Sequence, residues 1–485
     1  MSDSASRENS GQRSRWPWFL VTGCLLIALI GLFRTLFKNG PTPPPDSADV
    51  PGQPSATGAD APRVSIAGRD RVSLGRSNSE PARTAEEIVA GKLVKFARSR
   101  REIVRGLARR HNVDVPDDVE RFFDAVEAGN WDEIDTIYRS LAGDDTSVST
   151  GSRSPNLRPL WPAIAESYGA VEQAHAWPAQ KLLDYGEAVL GSLRPGMVYV
   201  GGTDPGRFIP TLLNATSEAE RRIVLTQNGL ADDGYRDYVN FLYGDRLATL
   251  AQDDFQRALQ DYRADARARL LHDQQFPDEP RQIRPHENVS LNSNGEVVLA
   301  DNAGRDAVFA INDRLLQTLL QKNPDLAFAL EESFPLKSTY ADAVLLGPIM
   351  ELRAQHGENA FTAEGAAQSL DYWRATTQQM LSDPEASSSP ETLKTWSKMA
   401  VGQANLFAER NYTAEAEQTY RLSMEMWPRN IESVSGLSDL LLRTGRAVDA
   451  RRLVEDFARN NPDLSTALES LRPGIIVTTQ PTPRP

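Results

Sequence analysis

Apolar positions recur at close to helical spacing between Thr84 and Arg110. They are Val89, Leu93, Phe96, Ile103, Val104 and Leu107. Such spacing is typical of one face of an amphipathic helix. Thr84 and Glu87 form a capping-box pattern, which predicts where the helix begins. Because apolar periodicity continues through Asp117–Ala142, residues 84–143 are predicted to be helical.

The centre of the chain alternates short β-branched runs, polar loops and amphipathic stretches. The strand GMVYV is followed by the loop GGTDPGRF and a helical pattern at Phe208–Leu213. The strand Ile223–Thr226 is followed by the loop QNGLADD and a helical pattern at Tyr235–Tyr243. Further strand candidates are Gly295–Ala300, Ala307–Ile311 and Ala327–Glu332, with the helix NDRLLQTLLQKN between the last two. Successive strand–loop–helix units predict an α/β domain with a short parallel sheet over residues 155–355.

Residues 360–465 contain a helical pattern with a period of 34. The aligned pairs are Ala404 with Ser438, Phe407 with Leu441, Ala416 with Ala450, Tyr420 with Val454 and Pro428 with Pro462. Small residues allow antiparallel helices to approach, and a proline ends the second helix. The pattern resembles the tetratricopeptide repeat, which implies a helical array that binds a protein or peptide on its concave face. A helix over Ala366–Leu381 is predicted to extend this array.

Residues 16–33, WPWFLVTGCLLIALIGLF, are uncharged and mostly apolar. At about 1.5 Å per residue this stretch just spans a hydrocarbon core of ~30 Å, so it predicts a single N-terminal transmembrane helix. Three arginines in residues 1–15 favour a cytoplasmic tail and an exported body. The alternative is a lipoprotein site at LVTGC, although its apolar region should precede Cys24. Residues 34–83 are predicted to be a Pro/Ser/Gly linker, and residues 466–485 a disordered tail.

Charge and composition limit the kinds of ligand and cofactor that the chain is expected to bind. The formal net charge of −13 argues against general binding to nucleic acid, which needs a basic surface. The one cysteine excludes an internal disulfide, and the five histidines lie far apart, so neither a metal site nor a cofactor is predicted.

The loop GGTDPGRF has two interpretations. As a ligand site, its backbone N–H groups would hold an anion, with Asp204 and Arg207 adding side-chain contacts. As a structural turn, Asp204 would cap the following helix, with Pro205 at its first position. The neighbouring loop offers Gln227, Asn228 and Asp232 as hydroxyl binders, although Asp232 or Asp233 is equally suited to cap a helix. The adjacent Glu331 and Glu332 are a weak acid–base candidate, and one of them could pair with Arg207.

The helix at residues 84–110 has a basic face formed by Lys92, Lys95, Arg98, Arg100, Arg101, Arg105, Arg109 and Arg110. This face suits anionic lipid headgroups. It equally suits the acidic segment Asp117–Ala142, and this packing interpretation is favoured because the opposite charge follows directly in the sequence.

The segments VYVGGTDPGRFIPT, VLTQNGLADDGYRDYV and LLQTLLQKNPDLAFALEESFP occur in an order that resembles the soluble extracytoplasmic tail of bacterial multi-spanning membrane proteins of the glycosyltransferase type, related to protein O-mannosyltransferases. The resemblance covers Leu193–Leu352. It implies a sugar-contacting or accessory domain that uses the loop residues Asp204, Arg207, Gln227, Asn228 and Asp232.

Together these observations predict a single-pass protein of the bacterial inner membrane with a periplasmic body. Its predicted function is that of a non-enzymatic scaffold, which binds a protein partner through the repeats and contacts a glycan. The alternative is an envelope carbohydrate-active enzyme or a glycosyltransferase accessory subunit, and a third interpretation is a lipid-surface adaptor.

Overall fold

The computed structural model describes residues 83–142, 156–279, 281–284, 287–299, 304–332, 334, 337–352, 361–464 and 468. The predicted anchor at 16–33 and nearly all of the predicted linker and tail lie outside these residues. Of the helices in the described ranges, none is both long enough and apolar enough to cross a membrane.

Five helices open the described chain: α1 Ala85–His111, α2 Asp117–Ala128, α3 Trp131–Ala142, α4 Trp161–Ala176 and α5 Ala179–Leu190. The predicted start of α1 is confirmed, since the Thr84 hydroxyl accepts from the Glu87 amide and the Glu87 carboxylate accepts from the Thr84 amide.

The basic face of α1 packs against α2. Arg98 pairs with Glu127 at 2.7 Å, Arg101 with Asp124 at 2.6 Å and Arg105 with Glu120 at 3.0 Å. These ion pairs support the packing interpretation of the basic face over the lipid interpretation.

The central sheet has the order β2-β1-β5-β7-β6. Its strands are β1 Val198–Gly201, β2 Ile223–Thr226, β5 Phe328–Leu330, β6 Val344–Leu346 and β7 Ile349–Leu352. Strand β1 is parallel to both β2 and β5, whereas β7 is antiparallel to both β5 and β6. A separate antiparallel hairpin joins β3 Val289–Leu291 to β4 Val297–Leu299. The surrounding helices are α6 Asp204–Ala215, α7 Asp233–Tyr243, α8 Gln252–Gln275, α9 Arg305–Lys322 and α10 Lys337–Tyr340.

The predicted fold class, an α/β domain with a short parallel sheet beside a C-terminal helical array and one transmembrane helix, was wrong. Helices make up most of the described chain, and the sheet is small and mixed rather than parallel. The predicted strand Ala307–Ile311 lies inside α9. The prediction failed because so short an apolar run does not distinguish helical from strand periodicity. The hairpin β6–β7, which was not predicted, adds the antiparallel strands.

The C-terminal region is helical and repeats in register. Its helices are α11 Ala363–Ser382, α12 Pro384–Ser387, α13 Pro390–Glu409, α14 Thr413–Met426, α15 Ile431–Arg443 and α16 Ala447–Asn460. Helices α14 and α16 begin and end 34 residues apart, and the turns before them have positive φ at the corresponding Asn411 and Gly445. Pro428 and Pro462 follow directly on the C-caps of α14 and α16. Ala404, Phe407, Ala416, Tyr420, Ser438, Leu441, Ala450 and Val454 are all buried.

Helix α13 belongs to this array and also covers the sheet. Nearly all of its residues from Thr392 to Ala408 are buried. Gln403 carries the contact with the sheet: its amide nitrogen donates to the carbonyl of Gly347 at 2.6 Å and to that of Ile349 at 3.0 Å. Helix α13 is therefore bonded to the hairpin formed by β6 and β7.

We expect Gly436→Ala on α15 to lower the free energy of unfolding by about 1–3 kcal/mol. A Cβ at Gly436 would lie 2.5 Å from the Tyr420 ring, whereas at Gly402, 34 residues earlier, the nearest atom of Glu332 is 3.5 Å away. Gly402→Ala is thus the matched control and should be tolerated, since alanine favours helices. Chemical denaturation measures both variants, and equal stabilities would contradict the prediction.

Candidate functional site

The carboxyl ends of β1 and β5 meet at the centre of the sheet. From β1 the chain reaches β2 on one side, while β5 lies on the other, so these two ends form a switch point. Open α/β sheets bind ligands at such points. The loop that begins α6 follows β1 here, and Glu331 follows β5.

Glu331 fills the backbone cradle at the start of α6. One carboxylate oxygen accepts from the amides of Gly202 and Thr203, both at 2.9 Å, and the other accepts from the Thr203 hydroxyl at 2.8 Å. Gly206 makes room for this carboxylate, because a Cβ there would overlap it. The anion-binding geometry predicted for GGTDPGRF thus exists, and a carboxylate of the same chain occupies it.

Glu331 is shielded from solvent. Only 2% of the residue is exposed. Burial raises the pKa of its carboxyl group, while the bonds from Thr203 and Gly202 and the charge of Lys398 on α13 oppose that rise. The next residue, Glu332, accepts hydrogen bonds from Tyr340 and from Asn405 of α13. Helix α13 therefore passes over the end of β5.

Asp204 and Arg207 lie beside this cradle and pair with each other at 2.6 Å. The expected pairing of Glu331 or Glu332 with Arg207 was wrong, as was the expected cap, because Thr203 rather than Asp204 caps α6 by accepting from the Gly206 amide. The Arg207 guanidinium lies 4.3 Å from the centre of the Phe208 ring. Half of the Asp204 side chain is exposed, so this pair remains open to solvent.

The second predicted loop lies against the first. Asn228 donates to the Gly202 carbonyl at 3.4 Å, Asp232 caps α7 by accepting from the Tyr235 amide at 2.7 Å, and Gln227 is fully buried. Asn312 of α9 was not predicted: its buried amide donates to the Asn228 carbonyl and accepts from the Ala231 amide. An asparagine within the apolar run of α9 was the one available signal. These contacts give the loop a structural role.

An acidic cluster comprises Asp135 of α3, Glu172 of α4, Asp204 of α6 and Glu391 of α13, and it includes the acid of the Asp204–Arg207 pair. Burial and the three other carboxylates raise the pKa of Glu172 to about 7, and Arg207 opposes that rise. Within the described residues Glu172 has no hydrogen bond or ion pair. No sequence signal marked Glu172, because the four acids come from four separate helices.

A column of aromatic rings on α3 and α4 contacts this acidic cluster. The Tyr138 and Tyr168 rings stack with centroids 3.7 Å apart, and Trp131 stacks on His175 at 4.4 Å. The Tyr168 hydroxyl donates to Asp135 at 2.9 Å. The region therefore combines carboxylates, a guanidinium and partly exposed rings. Among the described residues, no group of three or more His, Cys, Asp or Glu side chains could hold a metal ion.

Glu172→Gln should stabilise the protein at pH 8 and have no effect near pH 4. The pKa in the folded state, about 7, exceeds the ordinary 4.5, so the folded state binds the proton more tightly. Wild-type stability is then lost as pH rises from the unfolded-state pKa through the folded-state one, by at most about 3 kcal/mol. Thermal unfolding across this pH range measures the difference. The control is Glu187→Gln, an exposed site on α5, and a pH-independent difference for Glu172→Gln would contradict the assignment.

Comparison with known proteins gives no relative. No family model, no curated protein and no solved structure matches the chain. The resemblances to the tetratricopeptide repeat and to the glycosyltransferase tail therefore stay predictions.

Proposed function

We propose that the protein is a non-enzymatic scaffold, which binds a protein partner through the C-terminal helical array. The observation that carries this proposal is the occupation of the switch point. Glu331 fills the cradle where an open α/β sheet would hold a ligand, and α13 passes over it. This architecture favours a rigid body that presents surfaces over one that encloses a substrate.

The geometry also favours one part of the array over another. Helix α13 would line the concave face of a tetratricopeptide-like array, but nearly all of it is buried and Gln403 bonds it to strand β7. The exposed surfaces of α14 and α16 are therefore the better candidates for the partner. This modifies the expectation that the whole concave face is the binding surface.

Site-specific photocrosslinking in the native cells tests the scaffold function. We expect a photoreactive amino acid at Gln418 on α14 to give one discrete protein adduct, and the same group at Asp124 on α2 to give none. Both positions are exposed. Arg207→Ala should leave the adduct unchanged, since the proposed partner does not use the loop at the strand ends. Adducts at Asp124 alone, or loss of the Gln418 adduct in Arg207→Ala, would contradict the proposal.

A second candidate function is contact with carbohydrate at the acidic cluster. Its support is the combination of the exposed Asp204–Arg207 pair with the rings of Tyr168 and Trp131, since sugars pair hydroxyls with carboxylates and stack on rings. A panel of sugars and sugar phosphates should raise the melting temperature of the wild type, and Asp204→Ala should abolish the increase. An unchanged melting temperature across the panel would exclude this function.

A further inference from the structure

The hairpin α15–α16, the last one within the described residues, exposes a patch at its turn end. We call it the end patch, and it comprises Leu442, Arg443, Val448, Arg451 and Arg452. Val448 is 73% exposed, more than any other large apolar side chain of the described residues, and Leu442 is 40% exposed. Arg451 and Arg452 lie three and four residues after Val448, so both share its face of α16.

The three arginines of the end patch are available to a partner. All three are exposed, and none has a hydrogen bond or ion pair to another described residue. The acids closest to the turn are committed elsewhere, since Glu417 and Asp449 both bond to Arg446 at 2.8 Å. Glu455 and Asp456 lie one turn further along α16, and Asp456 pairs with Arg459 at 3.1 Å. The patch thus keeps a positive charge in a chain whose net charge is −13.

The hairpin fold does not require these residues. In the preceding hairpin, the end of α13 and both ends of α14 lie 34 residues before the corresponding points of α15 and α16. The positions corresponding to the end patch are occupied there by Ala408, Glu409, Ala414, Glu417 and Gln418. Two arginines are thus replaced by glutamate and the third by glutamine, while the apolar side chains are reduced to alanine. Folding alone leaves the end patch unexplained.

We propose that the end patch binds an acidic segment of a protein partner, with one apolar side chain of that segment packed on Val448. This binding site deepens the proposed scaffold function and rests on it. Guanidinium groups pair bidentately with carboxylates, and an exposed apolar residue among them supplies an anchor that excludes water. The surrounding negative charge disfavours an extended polyanion such as nucleic acid or an anionic membrane, which would contact much more than this small patch.

The test uses the full chain and a short synthetic peptide of Asp and Glu around a central Leu. Fluorescence anisotropy at low ionic strength should show binding that the Arg451→Glu/Arg452→Glu variant weakens about tenfold or more. Val448→Ser should weaken it too, as should replacement of the peptide Leu by Ser. The matched control is Arg459→Glu on the same helix, where the native arginine already pairs with Asp456 at 3.1 Å, and it should change the affinity less than about twofold.

Equal affinities for the double variant and the Arg459→Glu control would overturn the proposal, as would no binding of the peptide. Tighter binding of a double-stranded oligonucleotide or of phosphatidylglycerol vesicles would replace it with a polyanion site. The photocrosslink at Gln418 separates this failure from failure of the scaffold function. If the double variant keeps that adduct, the scaffold function stands and the end patch is not where its partner binds. If the wild type lacks the adduct but binds the peptide, the scaffold function fails instead.

Discussion

Glu331→Ala should be the most destabilising single substitution at the switch point. It removes the acceptor of the Gly202 and Thr203 amides and of the Thr203 hydroxyl, in a place that is closed to water. Each buried donor left without a partner costs about 1–3 kcal/mol, so we expect a loss of about 3–5 kcal/mol in the free energy of unfolding. Glu331→Gln keeps the shape and one acceptor oxygen, and its loss should be smaller.

Denaturant unfolding measures these losses, with Asp325→Ala as the control. Asp325 is exposed just before β5, and its substitution should change stability by no more than about 0.5 kcal/mol. Added acetate should restore part of the stability of Glu331→Ala, because it supplies a carboxylate to the vacated cradle. If Glu331→Ala is as stable as the control, Glu331 does not organise this loop.

Gln403→Leu should separate the array from the sheet and cost about 3–5 kcal/mol. The Gln403 side-chain oxygen accepts from the Ser369 hydroxyl at 2.6 Å and from the Trp373 indole at 2.9 Å, while its nitrogen donates to the carbonyls of Gly347 and Ile349. Leucine has a similar volume, but it leaves all four groups without this partner. The effect therefore reports hydrogen bonding rather than a cavity.

Hydrogen exchange gives a local readout for Gln403→Leu. The amides of β7 should exchange faster relative to those of β2, which is at the far edge of the sheet. Gln368→Leu on α11 is the control, because Gln368 is exposed and bonds only to Glu364 at the surface. Unchanged protection of β7 in Gln403→Leu would show that other contacts hold α13 in place.

Local signals in the sequence predicted local structure. The capping box at Thr84 and Glu87 identified the start of α1, and the β-branched run Ile223–Thr226 matched β2 at both ends. In both cases the residues that decide the structure are neighbours in the chain. The failures at Ala307–Ile311 and at β6–β7 have a related cause. Short apolar runs fit both the helical and the strand period, so tertiary packing determines which structure forms.

The candidate site was only partly predictable. The cradle at GGTDPGRF followed from glycines before a helix, yet its occupant, Glu331, lies more than 120 residues further along the chain. The acidic cluster brings together Asp135, Glu172, Asp204 and Glu391 from four helices. Neither a loop pattern nor helical periodicity carries information about such distant partners. The sequence therefore predicted which residue types the site contains, but not which of them pair.

The placement of α13 has a consequence for biosynthesis. Translation delivers β1, β2 and β5 long before Pro390–Glu409, so the part of the sheet that α13 covers stays exposed until the last quarter of the chain leaves the ribosome. Apolar surface exposed during this interval promotes aggregation. Ribosome-bound chains ending before Pro390 should therefore remain protease-sensitive around Phe328–Leu330, and extension past Glu409 should make that region resistant.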